Sequence, residues 1–244
     1  MELLPGIIAD QTALYITATR TLVLSDLHLG YEEELRRKGI FIPTGEYANV
    51  ERLLESLVKR HKPKTIVLNG DVKHGFGTIN DSEWRHTRKL LEALQRVAQV
   101  IVVRGNHDLA LGPVARSAGL EAEPYWIENG ILFLHGDVVP EPELLAGVHT
   151  LIIGHEHPAV ALTNGIRSET YKCFLKMEYE GRHLIVLPST FSLTVGLDVL
   201  ANKPDNPLLR NIAHAQVYAV EETTILACGT VSQLQAAVPK PERK

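Results

Sequence analysis

Short apolar runs recur along the chain, and the segments between them carry apolar residues at helical spacing. Apolar runs of about four to eight residues are typical of buried strands, whereas apolar residues three and four apart are typical of helices. The pattern predicts strands at residues 14–17, 21–24, 65–68, 100–103, 131–134 and 151–153. It predicts helices at 31–38, from 43 to about 61, from 81 to about 98 and at 112–118.

The second half of the chain is rich in predicted hairpins. Residues 125–127 are predicted to pair with 131–134, 171–179 with 183–187, and 215–220 with 224–228. Strands that alternate with helices in the first half, followed by these hairpins, predict an α/β fold. We expect one domain over residues 1–244, in which the Pro- and charge-rich tail at 233–244 frays.

Composition narrows the classes of protein. The formal net charge is −4, so any nucleic-acid binding would need a local basic patch or metal ions. Two cysteines, Cys173 and Cys228, make a disulfide framework improbable and fit a reducing cytosol. The N-terminus lacks the features of a signal peptide, and no apolar run approaches the about 18 residues of a membrane span. We therefore expect a soluble cytoplasmic protein; the oligomeric state is not predicted.

Residues of the metal-binding type follow five of the predicted strands directly. They are Asp26 and His28, Asp71, Asn106 and His107, His135, and His155 and His157. Because the carboxyl ends of strands in an α/β sheet converge on one crevice, we expect these side chains to lie together. In extended backbone, side chains two residues apart leave on the same side, as Asp26 and His28 would. Glycines beside four of these sites would allow close backbone approach.

The residue types indicate the metal and the reaction. Imidazole, carboxylate and amide oxygen without thiolate suit Mn²⁺, the first candidate, and also Zn²⁺, Fe²⁺, Ni²⁺ or Co²⁺. The candidate ligands are too many for one ion with open positions, and they suit two ions that share a bridging carboxylate. Two ions ~3.5–4 Å apart can hold a hydroxide and clamp the attacking and leaving oxygens of a phosphoryl group. Hydrolysis of a phosphate ester is the expected reaction.

Five sequence blocks occur in a fixed order: Asp26-x-His28, Gly70-Asp71, Gly105-Asn106-His107-Asp108, His135-Gly136 and Gly154-His155-x-His157. In this order they resemble the calcineurin-like metallophosphoesterase superfamily. The resemblance runs from about residue 21 to residue 199. It implies a four-layer αββα sandwich, in which two mixed β-sheets lie face to face and helices flank them.

The resemblance also implies a role for each residue of the blocks. The first metal would be held by Asp26, His28 and His157, and Asp71 would bridge the two metals. The second metal would be completed by Asn106, His135 and His155. His107 would contact the scissile phosphate and either protonate the leaving alcohol or stabilise developing charge. Asn106 would also contact the substrate. Asp108 would orient His107.

Further segments resemble a narrower prokaryotic branch of the superfamily, which includes the phosphoesterase associated with DNA ligase and a large helicase in repair clusters. They are residues 39–43, 68–74, 154–158 and 187–191. A repair ligase or helicase is thus an implied partner. Two positions depart from that branch: Asp137 stands where another His is frequent, and Thr194-Val195-Gly196 where a Gly-Gly pair is frequent.

Several neighbouring residues leave two interpretations open. His74, three residues after Asp71, is either a substrate-binding residue or a surface histidine. Arg104 either contacts a phosphate oxygen or pairs with an acid. Glu156 lies between two ligands and is expected to point away from them. The acidic residues at 32–34 are interpreted as a solvated helix face.

Three functions remain open on sequence alone. The first is a two-metal phosphodiesterase or phosphatase acting on a nucleotide, a cyclic nucleotide or a nucleic-acid end. The second is a non-catalytic, metal-stabilised module of a DNA-repair complex, against which the His107-Asp108 pair argues. The third is a nuclease, against which the acidic charge balance argues.

Overall fold

The chain folds into two β-sheets that lie face to face, with helices on their outer faces. A computed structural model describes residues 1–42, 45–77, 79–163 and 167–237. The α-helices are α1 (Tyr31–Arg37), α2 (Glu46–His61), α3 (Asp81–Gln95), α4 (Leu111–Ser117) and α5 (Val231–Ala237). Short 3-10 helices lie at Asn106–Ala110, Pro142–Leu145, Pro207–Leu209 and Ile212–His214.

Among the described residues, the first sheet has seven strands that lie side by side in chain order. The first four are antiparallel and the last four are parallel, with β4 common to both sets. Leu68 of the fifth strand is level with Leu24 on one side and Val102 on the other, so three parallel strands end together. The strands are β1 (Glu2–Leu4), β2 (Ile7–Asp10), β3 (Ala13–Ile16), β4 (Thr21–Leu24), β5 (Thr65–Asn69), β6 (Gln99–Val103) and β7 (Ala122–Glu123).

The second sheet has nine strands in the part of the chain that the structure describes. They are β8 (Tyr125–Glu128), β9 (Ile131–Leu134), β10 (Thr150–Ile153), β11 (Pro158–Thr163), β12 (Ser168–Tyr179), β13 (Arg182–Val186), β14 (Leu197–Asp198), β15 (Gln216–Glu221) and β16 (Thr224–Thr230). The order is β14-β11-β12-β13-β10-β9-β8, and β15 pairs with both β12 and β16. At its centre β10 runs parallel to β9 and β13.

Apolar side chains fill three layers. The layer between the sheets includes Val23, Val67, Phe133, Ile152 and Phe174. Helices α2, α3 and α4 bury the outer face of the first sheet through residues such as Leu57, Leu91 and Val114. Three of the 3-10 helices and α5 cover the outer face of the second sheet through Leu145, Leu208, Ile212 and Val231. The predicted four-layer α/β sandwich is confirmed.

The hydrophobic pattern located the central strands well and missed others. The predicted strand at 21–24 is β4, and the hairpin across Asn129-Gly130 joins β8 to β9. Strands β1 and β2 were missed because they are short and only partly buried. The strand β11 was also missed, since it begins at a proline directly after a ligand-bearing turn.

Two predictions concern the ends of segments. Residues 233–237, which were expected to fray, belong to α5, because Val231 and Leu234 pack against the second sheet. The predicted start of a helix at residue 43 and the tail at 238–244 lie outside the described residues. The single-domain organisation stays a prediction. Within the described residues, no helix has both the length and the apolar character that crossing a membrane requires.

Asn69, the last residue of β5, ties the two sheets together. It is fully buried, and its Nδ2 donates to the carbonyl oxygens of Leu134 at 2.9 Å and Ile152 at 3.2 Å. These carbonyls belong to the last residue of β9 and the last but one of β10 in the opposite sheet. The amide therefore fixes the separation of the strand ends that carry the polar residues described below.

Replacing this amide should loosen the sandwich. Asn69→Leu removes the donor to two buried carbonyls, so we expect the free energy of unfolding to fall by about 1–3 kcal/mol. Urea denaturation followed by circular dichroism measures the change. Asn202→Leu is the matched control, because Asn202 is exposed and its Nδ2 donates only to the nearby carbonyl of Asp198. Equal stability of the two variants would refute this role for Asn69.

Candidate metal centre and active site

The predicted ligands lie where the carboxyl ends of strands from the two sheets meet. Strands β4, β5 and β6 deliver residues from one sheet, and β9 and β10 deliver residues from the other. A cleft of about 260 Å³ opens at this place. It is lined by His28, Tyr31, Asp71, His74, Asn106, His107, His155, His157, Phe191 and Thr194.

One group of donors surrounds Asp26. Asp26, His28 and His157 each place a ligand atom within 4.8 Å of the other two. His157 Nε2 lies 3.2 Å from Asp26 Oδ1 and 3.2 Å from His28 Nε2. This is the set of residues expected to hold the first metal.

A second group lies beside Asp71. Asp71, His135 and His155 also bring their ligand atoms within 4.8 Å of one another. Asn106 Oδ1 lies 3.0 Å from both His135 Nε2 and His155 Nδ1. Asp71 Oδ2 is 3.3 Å from His135 Nε2 and 3.7 Å from His28 Nε2, so this carboxylate faces both groups.

The backbone at these residues is strained. Asp26, His28, Asp71, His155 and His157 all have positive φ, between 44° and 69°, which side chains larger than glycine rarely adopt. The expectation that extended backbone aligns Asp26 with His28 is therefore wrong, because both residues have left-handed rather than extended backbone. Such strain persists where the surrounding structure fixes it, and it is typical of functional sites.

Two glycines allow the close approach. A Cβ on Gly154 would lie 1.8 Å from Ser25 Oγ, and a Cβ on Gly70, whose φ is +88°, would lie 2.1 Å from His135 Nδ1. Any side chain at either position would push the two sheets apart at the cleft. The expectation that glycine beside the ligands permits close contact is confirmed at these two positions.

The electrostatics suit a bound cation. Asp26 and Asp71 are 0% and 2% exposed, and within the described chain their side chains form ion pairs only with histidines. Burial raises the pKa of Asp26, but His157 and its neighbouring histidines outweigh burial and hold that pKa well below its usual range. Burial lowers the pKa of His28 to about 3, which leaves a neutral imidazole. Buried carboxylates and a neutral imidazole without a lysine or arginine partner are a donor set that fits divalent metals.

His107 lies at the cleft, but Asp108 does not orient it. The carboxylate of Asp108 accepts hydrogen bonds from the backbone N–H groups of Gly105 at 3.0 Å, Val72 at 3.2 Å and Lys73 at 3.2 Å. The sequence expectation is thus wrong, because the aspartate holds the loops after β5 and β6 together. His107 Nδ1 is instead hydrogen-bonded to the carbonyl of His74.

Lys73 joins the same two loops as a hydrogen-bond donor, whereas Asp108 joins them as an acceptor. Its side chain is fully buried, and Nζ donates to the carbonyl oxygens of His107, at 2.6 Å, and Gly75. The burial of this lysine could not be predicted from its position in a polar loop. Together Asp108 and Lys73 fix the backbone on which His107 and Asp71 lie.

His74 connects the first donor group to helix α1. Its Nδ1 lies 3.2 Å from His28 Nδ1, and its Nε2 lies 3.2 Å from Glu34 Oε2. His74 therefore lies in the site, which its interpretation as a substrate-binding residue requires. Glu34 is partly solvated and pairs with Lys38 on its own helix, as the interpretation as a helix surface residue expected, but its other carboxylate oxygen also contacts His74.

An aromatic wall was not predicted. The Phe191 ring lies 4.8 Å from the His28 ring and 5.6 Å from the His157 ring. Lys172 Nζ holds the Phe191 loop by donating to the carbonyl of Ser189 at 2.8 Å and to its Oγ at 2.6 Å. On the opposite side, the exposed Phe76 ring lies 3.7 Å from the His107 ring.

The remaining candidates lie at the edge of the site. Arg104 is exposed and lines a larger neighbouring groove rather than the cleft. Asp137 lines the same groove. Glu156 accepts a hydrogen bond from Asn206 Nδ2 at 2.8 Å, as expected for a side chain that points away from its two neighbours.

Comparison with known proteins identifies the fold family. The family model described as calcineurin-like phosphoesterase matches residues 19–157. No curated protein matches the sequence. Among solved structures, the nuclease MPE of Pseudomonas putida is 20% identical with a TM-score of 0.60, covering 89% of this chain and 91% of that one.

Two further solved structures are similar at lower scores. Yfce, a phosphoesterase from E. coli, is 23% identical with a TM-score of 0.43 and covers 86% of this chain and 98% of its own. Vacuolar Protein Sorting 29 from Cryptosporidium parvum is 19% identical with a TM-score of 0.40, covering 85% and 94%. At these identities the likeness concerns the fold alone. The narrower prokaryotic branch stays a prediction.

The hydrogen bonds of Asp108 predict a structural role. Asp108→Ala leaves three buried N–H groups without their acceptor, so we expect the free energy of unfolding to fall by at least about 2 kcal/mol. Urea denaturation measures this change. Asp137→Ala is the control, because it changes an exposed aspartate and should leave the stability nearly unchanged. Unchanged stability of Asp108→Ala would contradict the role of Asp108 in holding the loops after β5 and β6 together.

Proposed function

This chain belongs to the calcineurin-like phosphoesterase family, and we propose that it hydrolyses phosphate esters with two divalent cations. The observation that carries the proposal is the pair of donor groups that share Asp71. One group is built on Asp26 and the other on His135, and the Asp71 carboxylate faces both.

The donor sets assign the cations. Asp26, His28 and His157 would hold the first, Asn106, His135 and His155 the second, and Asp71 both. When bound, the cations would lower the pKa of a water molecule and offset negative charge on the phosphoryl oxygens. Mn²⁺ is the first candidate, and Zn²⁺, Fe²⁺, Ni²⁺ and Co²⁺ suit the same donors.

His107 would act as the proton donor. Its Nδ1 is held by the carbonyl of His74, so Nε2 is the nitrogen left to exchange a proton with a substrate in the cleft. Its backbone N–H donates to Asp71 Oδ1 at 2.9 Å, which fixes the loop against the bridging carboxylate. Nε2 would protonate the leaving alcohol as the P–O bond breaks. Asp108 and Lys73 contribute by fixing the backbone of His107.

The substrate we propose is a phosphate ester of a nucleotide or of a nucleic-acid end. A cytoplasmic location, and a ligase or helicase of DNA repair as partner, stay predictions from the sequence. A nuclease and a non-catalytic repair module are the alternatives. Faster turnover of long DNA than of small phosphodiesters would favour the nuclease. A complete lack of turnover would favour the non-catalytic module.

Loss of a shared or second-site ligand should abolish the reaction. With Mn²⁺ supplied, Asp71→Asn and His135→Ala should each lower kcat for bis(p-nitrophenyl) phosphate by at least about a thousandfold, because hydrolysis requires both cations. Steady-state kinetics measure this. His183→Ala is the control, since His183 is exposed and lies on β13 outside the cleft. Activity retained in His135→Ala would refute the two-metal mechanism.

Glu34 should affect the first cation through His74. With Nε2 of His28 on the cation, Nδ1–H would donate to His74 Nδ1, and Nε2–H of His74 would donate to Glu34. Glu34→Ala should weaken Mn²⁺ binding at the first site by about tenfold. Titration of Mn²⁺ followed by electron paramagnetic resonance measures the affinity.

Two matched variants test whether this effect passes through the hydrogen bond. Glu34→Gln keeps an acceptor for His74 and should restore part of the affinity. Glu33→Ala removes a carboxylate from the same helix that pairs with Arg36 and Arg37 rather than with His74, and should leave the affinity unchanged. If Glu33→Ala weakened Mn²⁺ binding as much as Glu34→Ala, the cause would be helix charge and not the His74 contact.

A further inference from the structure

A groove of about 930 Å³ lies beside the cleft, and the chemistry proposed above does not use it. Two of the proposed ligands, Asn106 and His135, line this groove, and Asn106 lines the cleft as well. A phosphate ester whose phosphate lies in the cleft can therefore extend its other substituent into the groove. The size of the groove is in the range of sites that enclose a whole small molecule.

The lining of the groove is apolar and exposed. Leu109 is 75% exposed, Val138 67%, Tyr125 41% and Val139 39%, and all four line the same concave surface. Exposed apolar side chains are ordinarily scattered over a protein surface, and a concave group of them is typical of a ligand site. The substituent that fits here has an apolar face.

The excess of carboxylates along the groove disfavours the binding of a polyanion such as nucleic acid. Asp137, Glu141 and Glu143 line it, against the single cation of Arg104. A nucleic-acid strand carries a negative charge on every nucleotide and would meet these carboxylates repeatedly. A single neutral ring with N–H groups avoids this repulsion and can donate hydrogen bonds to the carboxylates. Tyr125 offers an aromatic ring on which such a group can stack.

We propose that this groove binds the nucleobase of a single nucleoside phosphoester. The inference rests on the proposed function, and it narrows the substrate to a small nucleotide ester rather than a long nucleic acid. Leu109, Tyr125 and Val138 would determine specificity and would not take part in breaking the P–O bond.

Paired substrates test the proposal. The Mn²⁺-loaded enzyme is assayed on the p-nitrophenyl ester of AMP and on methyl p-nitrophenyl phosphate, which lacks the base. We expect kcat/KM to be at least about tenfold higher for the AMP ester, the effect of stacking one base on an aromatic side chain. Tyr125→Ala should lower this ratio at least about fivefold, because it removes the ring on which the base stacks. Leu109→Asp and Val138→Asp should lower the ratio as well, because they replace apolar contacts with the base by a charge. Leu226→Asp, an exposed leucine on β16, is the control and should keep the ratio.

A binding measurement separates this proposal from the proposed function. Calorimetry of AMP binding requires no turnover, and Leu109→Asp should weaken it by a similar factor. If the wild type hydrolyses neither ester, the proposed function fails, while loss of AMP binding in the variants still supports the groove. Equal ratios in wild type and variants, with equal AMP binding, would overturn the groove proposal. Preference for octyl p-nitrophenyl phosphate or for a DNA duplex over the AMP ester would overturn it as well.

Discussion

The burial of two carboxylates between the sheets is the main energetic constraint on this structure. Asp26 and Asp71 lie at the ends of adjacent parallel strands, nearly without solvent contact, and their ion-pair partners within the described chain are imidazoles. Burying charge in this way is unfavourable unless an opposite charge accompanies it. The pair of divalent cations we propose would supply that charge between the carboxylates and the histidines. The same cations account for the reaction we propose.

The rest of the fold keeps these donors close together. Five of the donor residues have positive φ, and the contacts described next maintain this strained backbone. Asn69 joins the two sheets beneath the site, and Asp108 with Lys73 joins the loops beside it. Lys172 holds the loop of Phe191 against the histidines. The polar residues outside the donor sets thus act by positioning the backbone that presents the ligands.

That the candidate ligands lie together could be predicted from sequence, because each follows an apolar run and strand ends in such sheets converge. Other features depend on contacts between distant loops, which spacing does not reveal. Asp108 follows His107 directly in sequence, yet its carboxylate accepts from backbone N–H groups more than thirty residues away. Glu34 has the sequence pattern of a solvated helix and still reaches His74. The groove was also unpredictable, since its lining comes from several separate segments.

The most direct test of the central claim is a crystal structure of the protein grown with Mn²⁺, with data collected at the manganese absorption edge. Two anomalous peaks ~3.5–4 Å apart are predicted, with the Asp71 carboxylate between them. One peak should lie among Asp26, His28 and His157, and the other among Asn106, His135 and His155. A single peak, no peak, or a pair that Asp71 does not join would contradict the two-metal centre.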